Sequence, residues 1–294
     1  MSHKLLSNYL PDNSAPAAIT VGEGLKSTAV YKVIAAADVK QLLRPRKSFS
    51  HKGTYGHVLI IAGQEQTMGA ALLCASGCLY GGAGLTTASI PASGLTALNT
   101  ALPEVMYLSR EALDDPTNLE KFNSIAVGPG LGRDEPVAGL LRAAFSRNKP
   151  VVIDADAINL LAKEPEYLSR IPAGSVLTPH MKEFDGLFGE HLTWFHRIQT
   201  AREMAKKHQI VIVLKNQYTF IIDQRSSVYI NQSGNSAMAQ GGMGDVLTGL
   251  VAAIIAQGYN TSEAAILACN VHGSSGDALA ASRFVVTASQ VAKH

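Results

Sequence analysis

His57-Val-Leu-Ile-Ile-Ala-Gly63 is an apolar run that stops on glycine, and its recurrence along the chain decides the fold. Ser124-Ile-Ala-Val-Gly128, Val151-Val-Ile-Asp154, Ser175-Val-Leu-Thr178 and Ile210-Val-Ile-Val-Leu214 share its design. Each is short, rich in β-branched residues and nearly continuous in apolar character. Strands covered on both faces read this way, because neither face has to meet water. Helical spacing fills the intervals at Gly69 to Tyr80, Pro136 to Arg147 and Trp194 to His208, the last ending on Lys206, Lys207 and His208, cations suited to a helix C-terminus. This alternation predicts an α/β fold with a largely parallel central sheet flanked by helices on both faces. A hairpin-like pair follows, Tyr218 to Asp223 and Ser227 to Asn231, joined across Gln224-Arg225-Ser226, and the chain from Gly244 onward reads as mostly helical. Residues 1 to 27 lack periodicity and are rich in Ser, Pro, Asn and Ala, so they are expected to form an N-terminal arm. No stretch reads as a linker, and residues 28 to 294 are expected to form a single domain.

With 294 residues and 47% hydrophobic content, the chain can bury a large core. Its 25 Lys and Arg against 23 Asp and Glu leave no net field to attract nucleic acid or an acidic membrane surface, which points to small-molecule partners. Cys74, Cys78 and Cys269 lack metal-site spacing and are expected to be buried free thiols. The most apolar run, Val246 to Ala256, is interrupted by Thr248 and Gly249 and is shorter than the ~20 residues a membrane span needs. The N-terminus carries no apolar signal core, so a cytoplasmic location is expected.

In doubly wound sheets, ligands bind beyond the carboxyl ends of the strands, where this chain is polar and glycine-rich. The segments there are Gly63 to Gly69, Gly128-Pro129-Gly130-Leu131-Gly132, Asp154-Ala155-Asp156-Ala157-Ile158-Asn159, Thr178-Pro179-His180-Met181-Lys182-Glu183 and Lys215-Asn216-Gln217-Tyr218-Thr219. Converging at one sheet edge, they would build one cleft. The strongest single feature is Gln240-Gly241-Gly242-Met243-Gly244-Asp245, directly before the helical Val246 to Ala256. Its glycines let backbone N–H groups approach an anion, and the helix N-terminus adds about half a positive charge. Asp245 then reads either as a helix cap or as a general base taking a proton from a hydroxyl that attacks the phosphate held beside it. Other residues carry alternatives too. Gly128 to Gly132 reads as a ligand turn or a plain strand-to-helix turn, and His180 with Glu183 as ligand groups or a surface pair. Asp154 and Asp156 read as helix caps or as groups placing Mg²⁺ near a phosphate. Lys215 ends a buried strand, where an unpaired ammonium is costly, and so calls for an anionic partner.

Taken in order, these motifs resemble those of the ADP/ATP-dependent NAD(P)H-hydrate dehydratases, a family of ribokinase-like fold. The likeness runs from about His51 to the C-terminus, and rests on His51-Lys52-Gly53 with Gly56, Gly69-Ala70-Ala71, Gly81 to Leu85, the turns already quoted, Gly241 to Asp245, and His272-Gly273 with Gly276-Asp277. The resemblance implies an enzyme that returns hydrated, inactive NADH and NADPH to their active forms at the expense of ADP or ATP. Carried over residue by residue, it makes Asp245 the base and Gly244 part of the phosphate cradle. It sets Ala70, Gly130, Gly132, His180 and Asp245 against the hydrated dinucleotide. Lys215, Asn216, Gln217, Tyr218, Thr219 and Gly244 fall against the adenine nucleotide, with Asp156, Asn159, Glu183, Gly241 and Gly242 in support. It also implies Mg²⁺ carried by the nucleotide, a homo-oligomer with a tetramer among its forms, and a separate NAD(P)H-hydrate epimerase, since the chain has no room for the epimerase domain of bifunctional members. Met243 departs from the small residue or Thr usual in the family. The alternatives are a kinase of the same fold, of hydroxymethylpyrimidine or thiazole type, which would use the same turn and base, and a non-catalytic nucleotide-binding subunit, which would need no base.

Overall fold

The computed structural model describes Tyr9, residues 21–132 and residues 137–294. In chain order the elements are β1 (Val21–Glu23), β2 (Tyr31–Val33), α1 (Ala36–Leu42), β3 (His57–Ile61), α2 (Met68–Tyr80), β4 (Leu85–Ser89), α3 (Leu95–Ala101), β5 (Met106–Leu108) and β6 (Ser124–Val127). They continue with α4 (Val137–Phe145), β7 (Val151–Ile153), α5 (Ala155–Lys163), β8 (Val176–Leu177), α6 (Met181–Phe188), α7 (Trp194–His208) and β9 (Val211–Leu214). The hairpin β10 (Thr219–Ile222) and β11 (Val228–Asn231) precedes α8 (Met243–Ala256), α9 (Thr261–Ala280) and α10 (Ala288–Lys293).

Among the described residues, eleven strands join one sheet in the order β1-β2-β11-β10-β9-β8-β7-β6-β3-β4-β5. Every neighbouring pair is parallel except the two that involve β10. The strand period of two sorts the apolar runs onto opposite faces. Leu59 and Ile61 of β3 pack into a core with Ile125, Val127 and Ile153, under α4, α5 and α7. Val58 and Ile60 face the other way, with Ala126 and Val152, under α2, α8 and α9. The expected two-sided, largely parallel architecture is therefore present.

On the second face α8 lies almost flush against α2. A Cβ on Gly249 would come within 1.9 Å of the Cys74 carbonyl oxygen, and one on Gly77 within 2.2 Å of that of Val246. These small residues bring the two helix N-termini together beneath the carboxyl ends of the strands. All three cysteines are buried and free.

Three features differ from simple apolar patterning. β4 is Leu-Thr-Thr-Ala-Ser, yet Thr86, Thr87, Ala88 and Ser89 are buried. Their hydroxyls are satisfied internally, Thr86 with the Cys78 Sγ at 3.3 Å and Thr87 with the His57 Nε2 at 2.8 Å, which permits burial of polar residues. Val21–Glu23, within the segment expected to be an arm, instead pairs in parallel with β2. Tyr9 is also buried, its ring centroid 5.5 Å from Tyr218, 5.5 Å from Phe220 and 5.6 Å from Trp194. Arm residues 1–8 and 10–20, and Pro136 at the expected start of α4, lie outside the described residues.

Candidate active site

Asp154 ends the β7 run and is 1% exposed. It precedes α5 but makes no capping bond to it. The next residue, Ala155, has φ +49°, a left-handed conformation that a non-glycine residue adopts only at some energetic cost, of order ~1 kcal/mol or more. The Asp154 carboxylate accepts from the Lys215 ammonium at 2.9 Å and from the Thr248 hydroxyl at 2.6 Å. Three separate elements, the end of β7, the end of β9 and the second turn of α8, are thereby tied at one point.

Asp245 lies in the first turn of α8 beside this knot. It is not the cap, because Gly242 holds that position at φ +89° and no side chain caps the helix. Burial, then the neighbouring Asp154 carboxylate, push the Asp245 pKa up to about 7, against the opposing pull of Lys215. Burial alone would depress the Lys215 ammonium, but Asp154, Glu183 and Asp245 outweigh it and the net shift is upward. The lysine is thus held charged at 21% side-chain exposure. Gly244 permits this proximity, since a Cβ there would fall 3.2 Å from the Lys215 Nζ. A carboxyl poised near neutrality, next to a fixed cation and an uncapped helix N-terminus, can take a proton from a hydroxyl while the positive groups hold a phosphoryl group.

His180 and Glu183 close the rim at the start of α6 through a capping box. The His180 N–H donates to the Glu183 carboxylate at 2.8 Å, and the Glu183 N–H donates to the His180 Nδ1 at 3.1 Å. The pairing is structural, yet it leaves the His180 side chain 53% exposed at the cleft while Glu183 is nearly buried. Burial raises the Glu183 pKa. A bridge between His180 and Lys215 continues the sheet one step past β8 and β9.

On the other side of Asp154 the glycine turn after β6 lies against the start of α2. The Thr67 hydroxyl donates to the Gly130 carbonyl at 2.6 Å, and a Cβ on Gly130 would meet that of Ala70 at 2.9 Å. Gly128, at φ +133°, lets the turn pass the Asp154 carbonyl, which an added Cβ would approach to 1.8 Å. Asp156 accepts from the Gly132 N–H at 2.9 Å, which locks that turn to α5, and Asn159 lines a small recess with Asp156 and Gly132. Ala70, Gly130, Gly132, Asp156, Asp154, Lys215 and Asp245 therefore form one continuous floor.

Beyond Lys215 opens a cavity of about 830 Å³, within the size range of small-molecule sites. Lys215, Asn216, Gln217, Thr219 and Gly244 line it. Tyr218 does not, because its ring packs against Tyr9. Gly241 and Gly242 form the turn that leads into Met243 without lining the cavity themselves, and Met243 lines it while also packing beside Leu73 and Ala288. The opposite wall holds Asn231, Ser233, Asn235, Met238 and His272, residues that no motif in the strand-end turns announces. They are brought in by side-chain bonds. Asp277 accepts from the Gly234 N–H at 2.9 Å and from the Asn235 amide at 2.7 Å, and the Asn231 Nδ2 reaches the Cys269 carbonyl at 3.3 Å. The sequence signals for this wall were His272-Gly273, which lines it, and Gly276-Asp277, which anchors it. Among the described residues no cluster of three or more His, Cys, Asp or Glu has metal-site geometry, and both Asp154 oxygens are engaged by protein donors.

The profile of the NAD(P)H-hydrate dehydratases matches residues 58–294. An ADP-dependent (S)-NAD(P)H-hydrate dehydratase from Lactiplantibacillus plantarum is 34% identical over 260 residues, 86% of this chain and 91% of that protein. Among solved structures, a ribokinase-like superfamily protein from Enterococcus faecalis superposes with a TM-score of 0.80 at 28% identity, covering 92% of this chain and 96% of that one. The ADP/ATP-dependent NAD(P)H-hydrate dehydratase from Bacillus subtilis, co-crystallised with ATP and Mg²⁺, gives 0.76 at 28% identity, with 87% and 93% covered. The chain spans about half the length of the first curated relatives it matches, which are named bifunctional NAD(P)H-hydrate repair enzymes. With its largely parallel sheet, its glycine turns and Asp245 beside the Asp154–Lys215–Thr248 knot, the chain is ribokinase-like in fold and belongs to the NAD(P)H-hydrate dehydratase family.

Proposed function

We propose that the protein dehydrates the 6S hydrate of NADH and NADPH at the expense of ADP or ATP, releasing phosphate and AMP or ADP. The observation that carries this is Asp245, next in the chain to Gly244 on the wall of the 830 Å³ cavity and beside Asp154 and Lys215, with its pKa near 7. Asp245 accepts the proton of the ring hydroxyl, whose oxygen attacks the terminal phosphorus. The bond from that phosphorus to the bridging oxygen breaks, and AMP or ADP departs. Water itself is a poor leaving group from carbon, whereas the phosphate so attached leaves readily. The ring nitrogen pushes its electron pair into the ring as the carbon–oxygen bond breaks, and the adjacent carbon gives up a proton to water to restore the double bond. Lys215 and the first turn of α8 hold the transferring phosphoryl group, and His180 and the glycine turn orient the dinucleotide.

Mg²⁺ enters on the nucleotide's phosphates in this reading, which suits a site whose Asp154 is already engaged by Lys215 and Thr248. Asp156 and Asn159 support the glycine turn, while Glu183, Gly241 and Gly242 support the phosphate end. One base at one position accepts only one epimer, which calls for a separate NAD(P)H-hydrate epimerase as the partner activity. A homo-oligomer is supported by exposed Leu43, Tyr80 and Val271 along a single groove, and a cytoplasmic location by the three free thiols. We assign the activity to residues 28 to 294 as one domain. The test is incubation of the pure protein with hydrated NADH, Mg²⁺ and either nucleotide, following the absorbance of reduced nicotinamide. Full recovery of one epimer is expected. Accumulation of a stable phosphorylated product in place of NADH would identify a kinase instead.

A further inference from the structure

Arg110 follows β5, three strands along the sheet from β6 and on the far side of the glycine turn from Asp245. Its Nη2 donates to the carbonyls of Ala62 at 2.8 Å and Gly63 at 2.9 Å, so the guanidinium is fixed against the turn that follows β3. Its Nη1 is buried and has no hydrogen-bond partner among the described residues. No carboxylate there forms an ion pair with it. Glu111, its chain neighbour, lines the same cavity from an exposed position and attracts the guanidinium through space without forming an ion pair. Burial depresses the guanidinium to about 10 against the opposing pull of Tyr107 and Glu111. Holding an unpaired cation out of water is costly, and a protein that keeps one has commonly arranged it for an anion.

The space beside it has room for that anion. A cavity of about 340 Å³ is walled by Arg110, Gln64, Ile90, Pro91, Tyr107 and Leu131. It abuts the dinucleotide floor, since a Cβ on Gly132 would touch the Gln64 side-chain oxygen at 2.2 Å. From β7, which carries Asp154, to β5, which precedes Arg110, the sheet order β7-β6-β3-β4-β5 has four steps, about 19 Å at ~4.8 Å each. An extended dinucleotide with its reacting ring at Asp245 covers that span with its adenosine half.

We propose that this cavity is a phosphate subsite for the adenosine half of the hydrated dinucleotide, with Arg110 as its cation and Ile90, Pro91 and Leu131 as apolar walls for the base. The proposal rests on the dehydratase reading, and its test separates the two. KM for hydrated NADH and hydrated NADPH is measured at saturating ADP in the wild type, Arg110→Gln and Arg110→Lys. Loss of one buried charge-assisted contact raises KM about tenfold to a hundredfold in Arg110→Gln, with kcat and the nucleotide KM little changed and partial recovery in Arg110→Lys. A rise confined to hydrated NADPH assigns the contact to the 2′-phosphate, and an equal rise for both substrates assigns it to the pyrophosphate. Either supports the subsite. Calorimetry on the ADP-saturated protein with adenosine 2′,5′-bisphosphate supplies a readout independent of turnover, and binding that is lost in Arg110→Gln is the expected result. Should Arg110→Gln fail to fold through loss of the Ala62 and Gly63 bonds, Arg110→Lys and wild-type calorimetry carry the test. Unchanged KM for both hydrates, or no bisphosphate binding to the wild type, overturns the subsite. Absence of NADH recovery with bisphosphate binding intact overturns the dehydratase reading alone.

Discussion

Replacing Asp245 by asparagine separates chemistry from folding, because the same burial that prepares the carboxyl as a base makes its charge costly. The group moves from 3.8 to about 7 in the folded protein. At about 1.4 kcal/mol per unit, its ionisation costs the fold at most about 4 kcal/mol. Water in the open cleft screens part of this, leaving about 2 kcal/mol. The folded state keeps the proton up to about pH 7 whereas the unfolded chain releases it near pH 4. The wild type therefore loses this stability as pH rises from 4 to 7 and carries the full penalty above 7. Asn carries no charge and escapes it. Asp245→Asn should accordingly melt about 3 °C above the wild type at pH 8, and close to it at pH 4. Turnover should fall by about 10² to 10⁴, the usual worth of a general base. ADP affinity, read by calorimetry, should hold or tighten, since a negative charge beside the phosphates is gone. Near-normal NADH recovery by the variant would refute the assignment and make Asp156 the next base to examine. A melting difference that does not vary with pH would refute the electrostatic account.

Wild-type kcat/KM should rise with pH through about 7, because the base acts ionised, and a flat profile between pH 6 and 8 would count against Asp245. Asp154→Asn should shift that rising limb to lower pH, since the Asp154 charge helps hold the Asp245 pKa up. It should also destabilise the fold by about 3 kcal/mol by leaving Lys215 without its partner, a loss read by urea unfolding. Lys215→Ala should weaken ADP binding about tenfold or more while affecting the hydrate less, and equal losses in calorimetry would reverse the assignment of sides. Tyr9→Ala removes contacts with Trp194, Tyr218 and Phe220 next to the Asn216 to Thr219 segment. It should lower both the melting temperature and the ADP affinity, and unchanged values would show this contact to be dispensable.

The apolar runs were legible because strands covered on both faces need neither polar residues nor partners named in advance. The hairpin from Thr219 to Asn231 was legible for a related reason, its turn being closed locally by the Asp223 carboxylate, which accepts from the Arg225 and Ser227 N–H groups. β4 escaped because its threonines look solvent-facing until Cys78 and His57 are seen beside them. β1 and β2 escaped because three-residue strands carry too little pattern to register. Arg110 had no motif at all, since its meaning comes from Ala62 and Gly63, 48 and 47 residues away.

By itself the sequence determined the local events, namely which runs extend, which turns require glycine and where a helix begins behind Gly242. It therefore determined the strand-end turns from which a cleft could be built. Only the tertiary structure decided what meets there. Asp154 stands 61 residues from Lys215 and 94 from Thr248, and no local spacing encodes that knot. The strand order places these ends side by side in a partly dry space. There Asp154 and burial lift Asp245 toward neutrality while Lys215 opposes them. A pKa is a property of surroundings, and those surroundings exist only once distant residues have been packed together.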